Sequence, residues 1–354
     1  MIDYGAPPAA DEIEFSLFGP GYGEAVAVHL GDGTWLLVDS CLDPESQESA
    51  TVTYLDRIGV APSQVRTIVA SHWHDDHVRG ISRISSRYAD AEFVIPAVFN
   101  DREATAFLAA YSGVLTSGLS RGTRELYDVV KSRDRVFPAL HRSIILDTRL
   151  GGRGVLVTAL SPLPAAFAQF IAHLTQHRAQ PDEPVNHAPE LRPNTAAVAI
   201  HFDFGDEALL LGADLEECPG LGWSAVVADS WSGRRRPATA YKVAHHGSRT
   251  GDCPRIWTTL LQSQPVACLT PYTLAGRRLP TEGDKVRIRA NTPHAYISSG
   301  ASRRPEMDAR VLKRLGDLCR NMSKADPAFG AVRLRKPGGA TAWNVELFGA
   351  ARAL

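Results

Sequence analysis

The stretch SHWHDDH, residues 71–77, places three histidines and two aspartates within seven positions. It ends a short β-branched run, VRTIVAS (65–71), that predicts a strand. Side chains alternate along a strand, so His72 and His74 point the same way, while Asp76 and His77 follow where a helix is predicted to begin. Imidazole and carboxylate groups suit zinc and neighbouring divalent ions. One ion cannot use all four comfortably, so the pattern favours two ions about 3.5–4 Å apart over a chance surface cluster of polar residues.

Strands and helices alternate around this motif, which predicts an α/β layered domain. The residues around Gly205-Asp206 form the turn of a predicted hairpin, and a proline-rich loop covers 179–193. Strands are predicted at 13–18, 24–30, 34–40, 65–71, 92–96, 154–162, 195–204, 207–214, 238–248 and 266–272, with helices at 45–60, 78–89, roughly 100–132, 163–178 and 306–322 and a closing hairpin at 331–348.

Length and composition describe an ordinary globular chain. Its 354 residues suffice for one large domain or two small ones, and 44% are hydrophobic. No apolar run is long enough for a transmembrane helix, and the N-terminus has neither the basic start nor the apolar core of a secretory signal. The five cysteines are scattered and form no CxxC. This usage argues against disulfides and thiolate zinc sites, and we expect a cytoplasmic protein without a membrane partner.

Charge is distributed unevenly along the chain. Residues 1–230 hold 16 Lys and Arg against 31 Asp and Glu, whereas residues 231–354 hold 22 against 8. A basic surface attracts polyanions such as DNA or RNA. The alternative is that the basic half docks on the acidic half or on a partner protein. The sequence leaves both open.

Four motifs in order resemble the metallo-β-lactamase fold hydrolases. The HxHxDH signature is present as His72-Trp73-His74-Asp75-Asp76-His77, and it is flanked by LLVDS at Asp39, LLLGAD at Asp214 and YKVAHHGS at His245 and His246. The resemblance implies an αββα sandwich over residues 13 to about 300. We further expect a flexible N-terminus (1–12) and a C-terminal helix and hairpin (301–354) packed on the same domain.

Several stretches narrow the resemblance to one branch. LSP (160–162), PNTAAVAI (193–200), LLLGADLE (209–216) and KVAHHGS (242–248) look like the metallo-β-lactamase domain of DNA-internalisation competence proteins. GYGEAVAVHLGDGTWLLVDSC (21–41) and SHWHDDHVRG (71–80) look closer to a soluble bacterial group, of which some members are associated with phage defence. This resemblance implies a nuclease or phosphodiesterase, with antiviral defence and a protein partner in a multi-component system as further expectations.

The resemblance also implies which side chains bind metal. Two divalent ions, zinc by expectation and manganese as the alternative, would be held by His72, His74, Asp76, His77, Asp214 and His246, with Asp214 bridging. The histidine that the family places after VLVTALSPLP is missing here, and the nearest candidates are His187 and Asn194. The first site would then be held by His72 and His74 plus water, or would fill with substrate. Asp75 adds a carboxylate that favours a harder ion such as Mn²⁺.

The remaining candidates have supporting or catalytic roles. We expect Asp76 and Asp214 to hold the ions and a hydroxide, since a bound divalent ion lowers the pKa of water to about 7. His245 would be a second ligand or a proton donor, and Asp39 would orient the histidine loop. Lys242 is expected on the outer face of its strand. Arg277 and Arg278 are candidate substrate contacts.

Three functions are compatible with this sequence. The favoured one is metal-dependent hydrolysis of a phosphodiester in nucleic acid or a nucleotide. A second is hydrolysis of a lactone, thioester or β-lactam, for which the pocket would be apolar. A third is a catalytically silent module that binds partner proteins, which the missing histidine favours.

Overall fold

Two eight-stranded sheets face each other across a shared apolar core. The computed structural model describes residues 2–19, 23–43, 46–100, 121–176, 193–274, 277–299 and 329–354. Within these ranges, helices cover the outer face of each sheet. The layers therefore run helix, sheet, sheet, helix, which confirms the predicted αββα sandwich.

The first sheet begins the chain and also receives part of its C-terminus. The strands are β1 (Ile13–Gly19), β2 (Ala25–Gly31), β3 (Thr34–Val38), β4 (Val65–Val69), β5 (Glu92–Pro96), β6 (Phe137–Ala139), β16 (Gly330–Lys336) and β17 (Asn344–Gly349), in the order β17-β16-β1-β2-β3-β4-β5-β6. β1 to β3 are antiparallel neighbours, and β3 to β6 are parallel ones. Parallel neighbours need a crossover, and helices supply it here.

The second sheet repeats this change from antiparallel to parallel pairing. Its order is β18-β15-β12-β11-β10-β9-β8-β7, with β9 antiparallel to β10 and β10 parallel to β11. Its strands are β7 (Ile144–Leu150), β8 (Arg153–Ala159), β9 (Ile200–Asp203), β10 (Ala208–Leu211), β11 (Ala238–Lys242), β12 (Leu261–Leu269), β15 (Ala295–Ile297) and β18 (Arg352–Ala353). A separate two-stranded hairpin pairs β13 (Tyr272–Leu274) with β14 (Arg277–Leu279).

Seven α-helices are described, and most pack on the outer faces of the sheets. They are α1 (Ala50–Arg57), α2 (Asp75–Val78), α3 (Ile81–Arg87), α4 (Arg121–Ser132), α5 (Pro164–Gln176), α6 (Trp223–Ala228) and α7 (Glu282–Asn291). Leu55, Ile84 and Leu126 bring α1, α3 and α4 into the apolar cluster on the first sheet. Trp223 and Ile288 bring α6 and α7 into the cluster on the second. No helix in the described part of the chain is long and apolar enough to cross a membrane.

Two predicted boundaries differ from the structure. Within the N-terminal segment expected to be flexible, Tyr4 is buried against Tyr54 and Phe348, and its carbonyl oxygen accepts a hydrogen bond from Arg333. The C-terminal hairpin is not packed on the sandwich but is part of it, because β16 pairs with β1 along its whole length. The helix predicted at 306–322, most of the 179–193 loop and residues 101–120 lie outside the described residues.

Strand direction brings the predicted site residues to one edge of the sandwich. β3, β4, β10, β11 and β12 are linked by parallel pairing within their sheets, and each ends just before a polar segment. Asp39 follows β3, the histidine motif follows β4, Asp214 follows β10, and His246 follows β11. The carboxyl ends of parallel strands are where α/β proteins bind ligands.

Candidate metal centre

Left-handed backbone shapes the loops that carry the candidate ligands. Asp39, Ala213, His245 and His246 have φ angles of 62°, 44°, 48° and 52°, although none is glycine. Such a conformation costs about 1–3 kcal/mol per residue and persists only where the surroundings enforce it. Two consecutive left-handed residues separate the directions of His245 and His246, which simple strand alternation could not have fixed.

Four side chains from both sheets meet in one buried cluster. Asp76, His77, Asp214 and His246 each offer one ligand atom, and these atoms lie within 4.8 Å of one another. His246 Nε2 is 3.0 Å from Asp76 Oδ2 and 3.5 Å from Asp214 Oδ2. Two imidazoles and two carboxylates at this spacing form a donor set that suits zinc or manganese.

The hydrogen bonds of His77 show that this cluster requires a positive charge. Nδ1 of His77 donates to Asp39 Oδ2 at 2.7 Å, so Nε2 of a neutral ring carries a lone pair. Nε2 lies 3.3 Å from Asp214 Oδ1, and neither atom has a hydrogen-bond partner among the described residues. Two buried lone pairs facing each other repel unless a cation lies between them. The residues present therefore fit a divalent ion.

The pKa shifts agree with that requirement. Burial works to lower the pKa of His77, but Asp214, Asp76 and Asp39 outweigh it and raise that pKa well above its ordinary value. Burial works to raise the pKa of Asp214, yet His246 and His77 hold it well below its usual range. Either a proton or a metal ion balances the carboxylates.

His72 and His74 lie beside this cluster and contact each other. The ring of His72 is 4.2 Å from that of His77, and its Nε2 is 3.2 Å from His74 Nδ1. Ser71 Oγ donates to Asp39 Oδ2 at 2.7 Å and lies 3.0 Å from His72 Nδ1. Burial lowers the pKa of both His72 and His74, which favours the neutral, ligating ring.

His245 lies beside the cluster, close to Asn194, which is one of the two candidates for the missing histidine. Nδ1 of His245 is 3.1 Å from Glu216 and 2.9 Å from Thr250, whereas Nε2 is 3.5 Å from Asn194 and 3.9 Å from Asp214. Asn194 is buried beside the site, and its Oδ1 has no hydrogen-bond partner in the described structure. The other candidate, His187, lies outside the described residues. Glu216, which holds His245, was not singled out in the sequence.

One expectation about charged residues needs correction. Asp75 Oδ1 accepts a hydrogen bond from Gly122 N at 2.6 Å, at the start of α4, and its effect on the choice of metal stays a prediction. Lys242 was expected on the outer face of its strand. It is instead buried, with its ammonium paired to Glu24 and hydrogen-bonded to Ala213 O. Glu24 is thus a further buried carboxylate at the site that the motifs did not reveal.

The β13–β14 hairpin lies beside the cluster. The ring of Tyr272 is 5.3 Å from that of His246. Burial and the carboxylate of Asp76 raise the pKa of Tyr272, while Arg277 opposes that rise. Arg277 and Arg278 are exposed on β14, across the hairpin from β13. The hairpin thus places an aromatic ring beside the cluster and the Arg277 guanidinium close enough to act on that ring.

Seven of the 22 basic residues in the basic half form ion pairs among the residues that the structure describes. Lys242, Arg335 and Lys336 pair with Glu24, Glu14 and Glu207 of the acidic half. These contacts favour the alternative in which the two halves dock on each other. Further basic residues of this half in ion pairs are Arg236, Lys285, Arg287 and Arg333.

Part of the chain matches a known protein family. Residues 18–166 match the metallo-beta-lactamase superfamily, a range that includes the histidine motif and ends before Asp214. Comparison with curated proteins gives no match. This part of the chain is therefore similar to the metallo-beta-lactamase superfamily, and the αββα sandwich is consistent with that similarity. Members of this superfamily are generally metal-dependent hydrolases.

Two solved structures are similar to this chain at low identity. One is a HARLDQ-motif mutant of a metallo-beta-lactamase from Cronobacter sakazakii, 18% identical over 64% of this chain and 74% of that chain, with a TM-score of 0.33. Another is the metallo-beta-lactamase fold protein YhfI from Bacillus subtilis, 14% identical over 65% and 70% of the two chains, with a TM-score of 0.33. Such values do not identify a substrate for this chain.

Proposed function

We propose that this protein is a metal-dependent hydrolase that cleaves phosphodiester bonds in nucleic acid or nucleotides. The observation that carries the proposal is the buried cluster of Asp76, His77, Asp214 and His246, in which His77 Nε2 and Asp214 Oδ1 face each other without a hydrogen-bond partner in the described structure. A bound divalent ion would balance the negative charge of this cluster and occupy the space between these two atoms. Zinc is the expected ion and manganese the alternative.

These four residues would hold one ion, and His72 and His74 would provide two ligands for a second beside it. Bound divalent ions supply a water of lowered pKa and positive charge that stabilises a developing oxyanion. The protein itself must orient the ligands, exclude bulk water and handle protons. The burial of Asp76 and Asp214 serves the first two needs.

The hairpin supports the choice of a phosphodiester substrate. Arg277 and Arg278 are exposed on β14, and Tyr272 on β13 packs against His246. A phosphodiester carries a negative charge that guanidinium groups bind well. A neutral lactone or β-lactam would gain little from these arginines and would require an apolar surface there.

His245 is placed to exchange a proton in the reaction. Its Nδ1 is held by Glu216 and Thr250, which leaves Nε2 directed toward Asn194 and Asp214. In hydrolysis, the oxygen of water bonds to phosphorus, and the bond between phosphorus and the leaving oxygen breaks. The leaving oxygen gains a proton and departs as an alcohol. Nε2 of a protonated His245 would provide that proton, and the attacking water would replace it.

The direct test is hydrolysis by the purified protein with Mn²⁺ or Zn²⁺ against single- and double-stranded DNA, RNA and a chromogenic phosphodiester. A lactone, a thioester and a β-lactam serve as the acyl substrates. We expect metal-dependent cleavage of at least one phosphodiester, lost in Asp214→Ala and retained in Asp206→Ala, which removes an exposed carboxylate from the β9–β10 turn.

Three other outcomes would overturn the proposal in different ways. Cleavage of acyl substrates alone would make the protein an acyl hydrolase. Fewer than one bound ion per chain would favour the silent, partner-binding module. Full turnover in Asp214→Ala with unchanged metal content would place the bridging group elsewhere. A cytoplasmic location remains a prediction from cysteine usage, and a protein partner and a role in antiviral defence remain predictions from the resemblance.

A further inference from the structure

A buried ion pair lies directly behind the metal cluster. Lys242 and Glu24 are 1% and 2% exposed, and the ammonium of Lys242 contacts Glu24 Oε1. Two buried charges gain little net stability from pairing, because each has lost its hydration. We therefore looked for a role of this ion pair other than stabilising the fold.

The second carboxylate oxygen of Glu24 continues toward His246 through one hydroxyl. Thr270, which is fully buried, donates from Oγ1 to Glu24 Oε2 at 2.6 Å. The same hydroxyl lies 2.9 Å from His246 Nδ1. A threonine hydroxyl has one proton, and here that proton is already donated to the carboxylate. The contact with His246 must then run from Nδ1–H to the threonine oxygen.

This direction of hydrogen bonding determines which nitrogen of His246 can bind metal. With Nδ1 protonated, Nε2 carries the lone pair, and Nε2 is the atom that faces Asp76 and Asp214. Glu24 accepts at both of its oxygens, from the ammonium of Lys242 at Oε1 and from Thr270 at Oε2, so both contacts support this direction of hydrogen bonding.

Lys242 also acts on the other side of the cluster. Its Nζ donates to the carbonyl oxygen of Ala213 at 3.0 Å and lies 3.8 Å from Asp214 Oδ1. Ala213 is one of the left-handed residues, so this hydrogen bond helps to hold the strained turn that presents Asp214. One lysine thus contacts the supports of two ligands that come from different strands.

We propose that Lys242, Glu24 and Thr270 form a positioning relay that fixes Nε2 of His246 as the ligating atom and holds the turn before Asp214. The inference rests on the metal centre proposed above and assigns new residues to it. None of the three touches substrate or metal. Their effect is on ligand geometry, so it must be measured as metal affinity and ring tautomer and not as turnover alone.

The test compares the relay with a matched pair at the other end of β10. Lys336 and Glu207 also form an ion pair between the acidic and basic halves, with side chains 14% and 3% exposed. The relay variants are Thr270→Val, Glu24→Gln and Lys242→Met. Thr270→Ser keeps the hydroxyl group and serves as the conservative replacement. The controls are Glu207→Gln and Lys336→Met. Zn²⁺ affinity is measured by calorimetry, thermal unfolding is followed without metal, and ¹⁵N NMR of the Zn²⁺-loaded protein reports the tautomer of each histidine.

We expect each relay variant to weaken Zn²⁺ binding about 10- to 100-fold, the usual effect of removing a partner of a metal ligand. Thr270→Ser should restore the affinity, and both control variants should bind Zn²⁺ as the wild type does. In the wild type, the His246 ring should show a protonated Nδ1 and a Zn²⁺-bound Nε2, and Thr270→Val should lose that pattern.

The alternative outcomes are separable. If the wild type binds no Zn²⁺, the proposed metal centre fails. If the wild type binds Zn²⁺ and Thr270→Val binds it equally with an unchanged tautomer, the relay fails while the metal centre stands. If the relay and control variants lose thermal stability alike with unaltered affinity, Lys242 and Glu24 are a structural pair only, and the inference is wrong.

Discussion

His77 donates from Nδ1 to Asp39 Oδ2 at 2.7 Å, and the other oxygen of the same carboxylate accepts the backbone N–H of Ser71 at 2.6 Å. Asp39 therefore connects the end of β3 to both ends of the histidine motif. Burial raises the pKa of Asp39, and His77 and Ser71 oppose that rise. This carboxylate directs Nε2 of His77 into the cluster.

The first prediction concerns Asp39→Asn. The amide has nearly the same shape, but only its oxygen can accept a hydrogen bond, so it cannot serve both His77 and the Ser71 amide and hydroxyl as the carboxylate does. We expect Zn²⁺ affinity to fall about 10- to 100-fold, measured by calorimetry. Asp203→Asn, which alters a carboxylate in the β9–β10 turn, is the control and should bind normally. Equal affinities for both variants would show that Asp39 does not orient the ligand.

The second prediction concerns pH and a histidine remote from the metals. His29 is fully buried, its Nδ1 donates to Glu12 O at 2.7 Å, and its Nε2 accepts from Gly33 N at 3.0 Å. Burial lowers the pKa of His29 to about 4. Below pH about 6.5, the ordinary pKa of histidine, this side chain is protonated in the unfolded chain but stays neutral in the folded chain.

Stability should therefore fall as the pH drops from about 6.5 to about 4, by up to about 3 kcal/mol from this residue. Free energies of unfolding in urea across that range measure the slope. His29→Asn keeps one donor and one acceptor but does not titrate, so its slope should be shallower. Identical slopes in wild type and variant would mean that His29 contributes nothing to the pH dependence.

The motifs at the strand ends could be predicted from the sequence, because each motif lies within a few consecutive residues. The alternation along β4 and the turn after it were enough to bring His77 and Asp76 to one edge of the sheet. Lys242 was placed wrongly for a physical reason: lysine is rarely buried without a partner, and that partner, Glu24, lies on the other sheet. Short polar contacts between distant segments leave no periodic signal.

The contacts of the two chain termini could not be predicted for the same reason, because they join segments that are distant in the sequence. The sequence predicted a C-terminal hairpin packed on the domain, but not that Arg335 of β16 pairs with Glu14 and that Arg333 donates to Tyr4 O. Only the pairing of β16 with β1 shows that these charges lie inside the fold. The direction of His245 and His246 likewise depends on two left-handed residues in succession, which no propensity predicts.

The third prediction concerns the ion pair between Arg335 and Glu14. Glu14 is fully buried and also accepts hydrogen bonds from Tyr54 and Ser16. Arg335→Met would leave its charge without an ionic partner, and we expect a loss of about 3–5 kcal/mol in the free energy of unfolding. The double variant with Glu14→Gln should recover part of that loss. Urea titration measures both.

A surface pair provides the control for that experiment. Arg87 and Asp56 are both exposed, and Arg87→Met should change stability little, because water screens exposed ion pairs. Zn²⁺ affinity should stay at the wild-type value in all of these variants. If Arg335→Met were no more destabilising than Arg87→Met, the Arg335–Glu14 pair would not hold the C-terminal hairpin to β1.

The last prediction tests the substrate class through Arg277 and Arg278. If these side chains bind phosphates, the affinity for nucleic acid should fall steeply with salt, because each neutralised phosphate releases counterions. Replacing both with glutamate should weaken binding to all sequences alike, since arginines that bind phosphates read no sequence, and should reduce the salt dependence by about one for each phosphate that is no longer neutralised. Arg149→Glu is the control, because that exposed arginine lies at the other end of the second sheet. Fluorescence anisotropy at several salt concentrations, with calorimetry to confirm intact Zn²⁺ binding, measures these effects.

An acyl hydrolase would tolerate both replacements with small neutral substrates. The nuclease assignment is wrong if the wild type shows no affinity for nucleic acid even at low ionic strength, whereas the metal centre would be unaffected by that result.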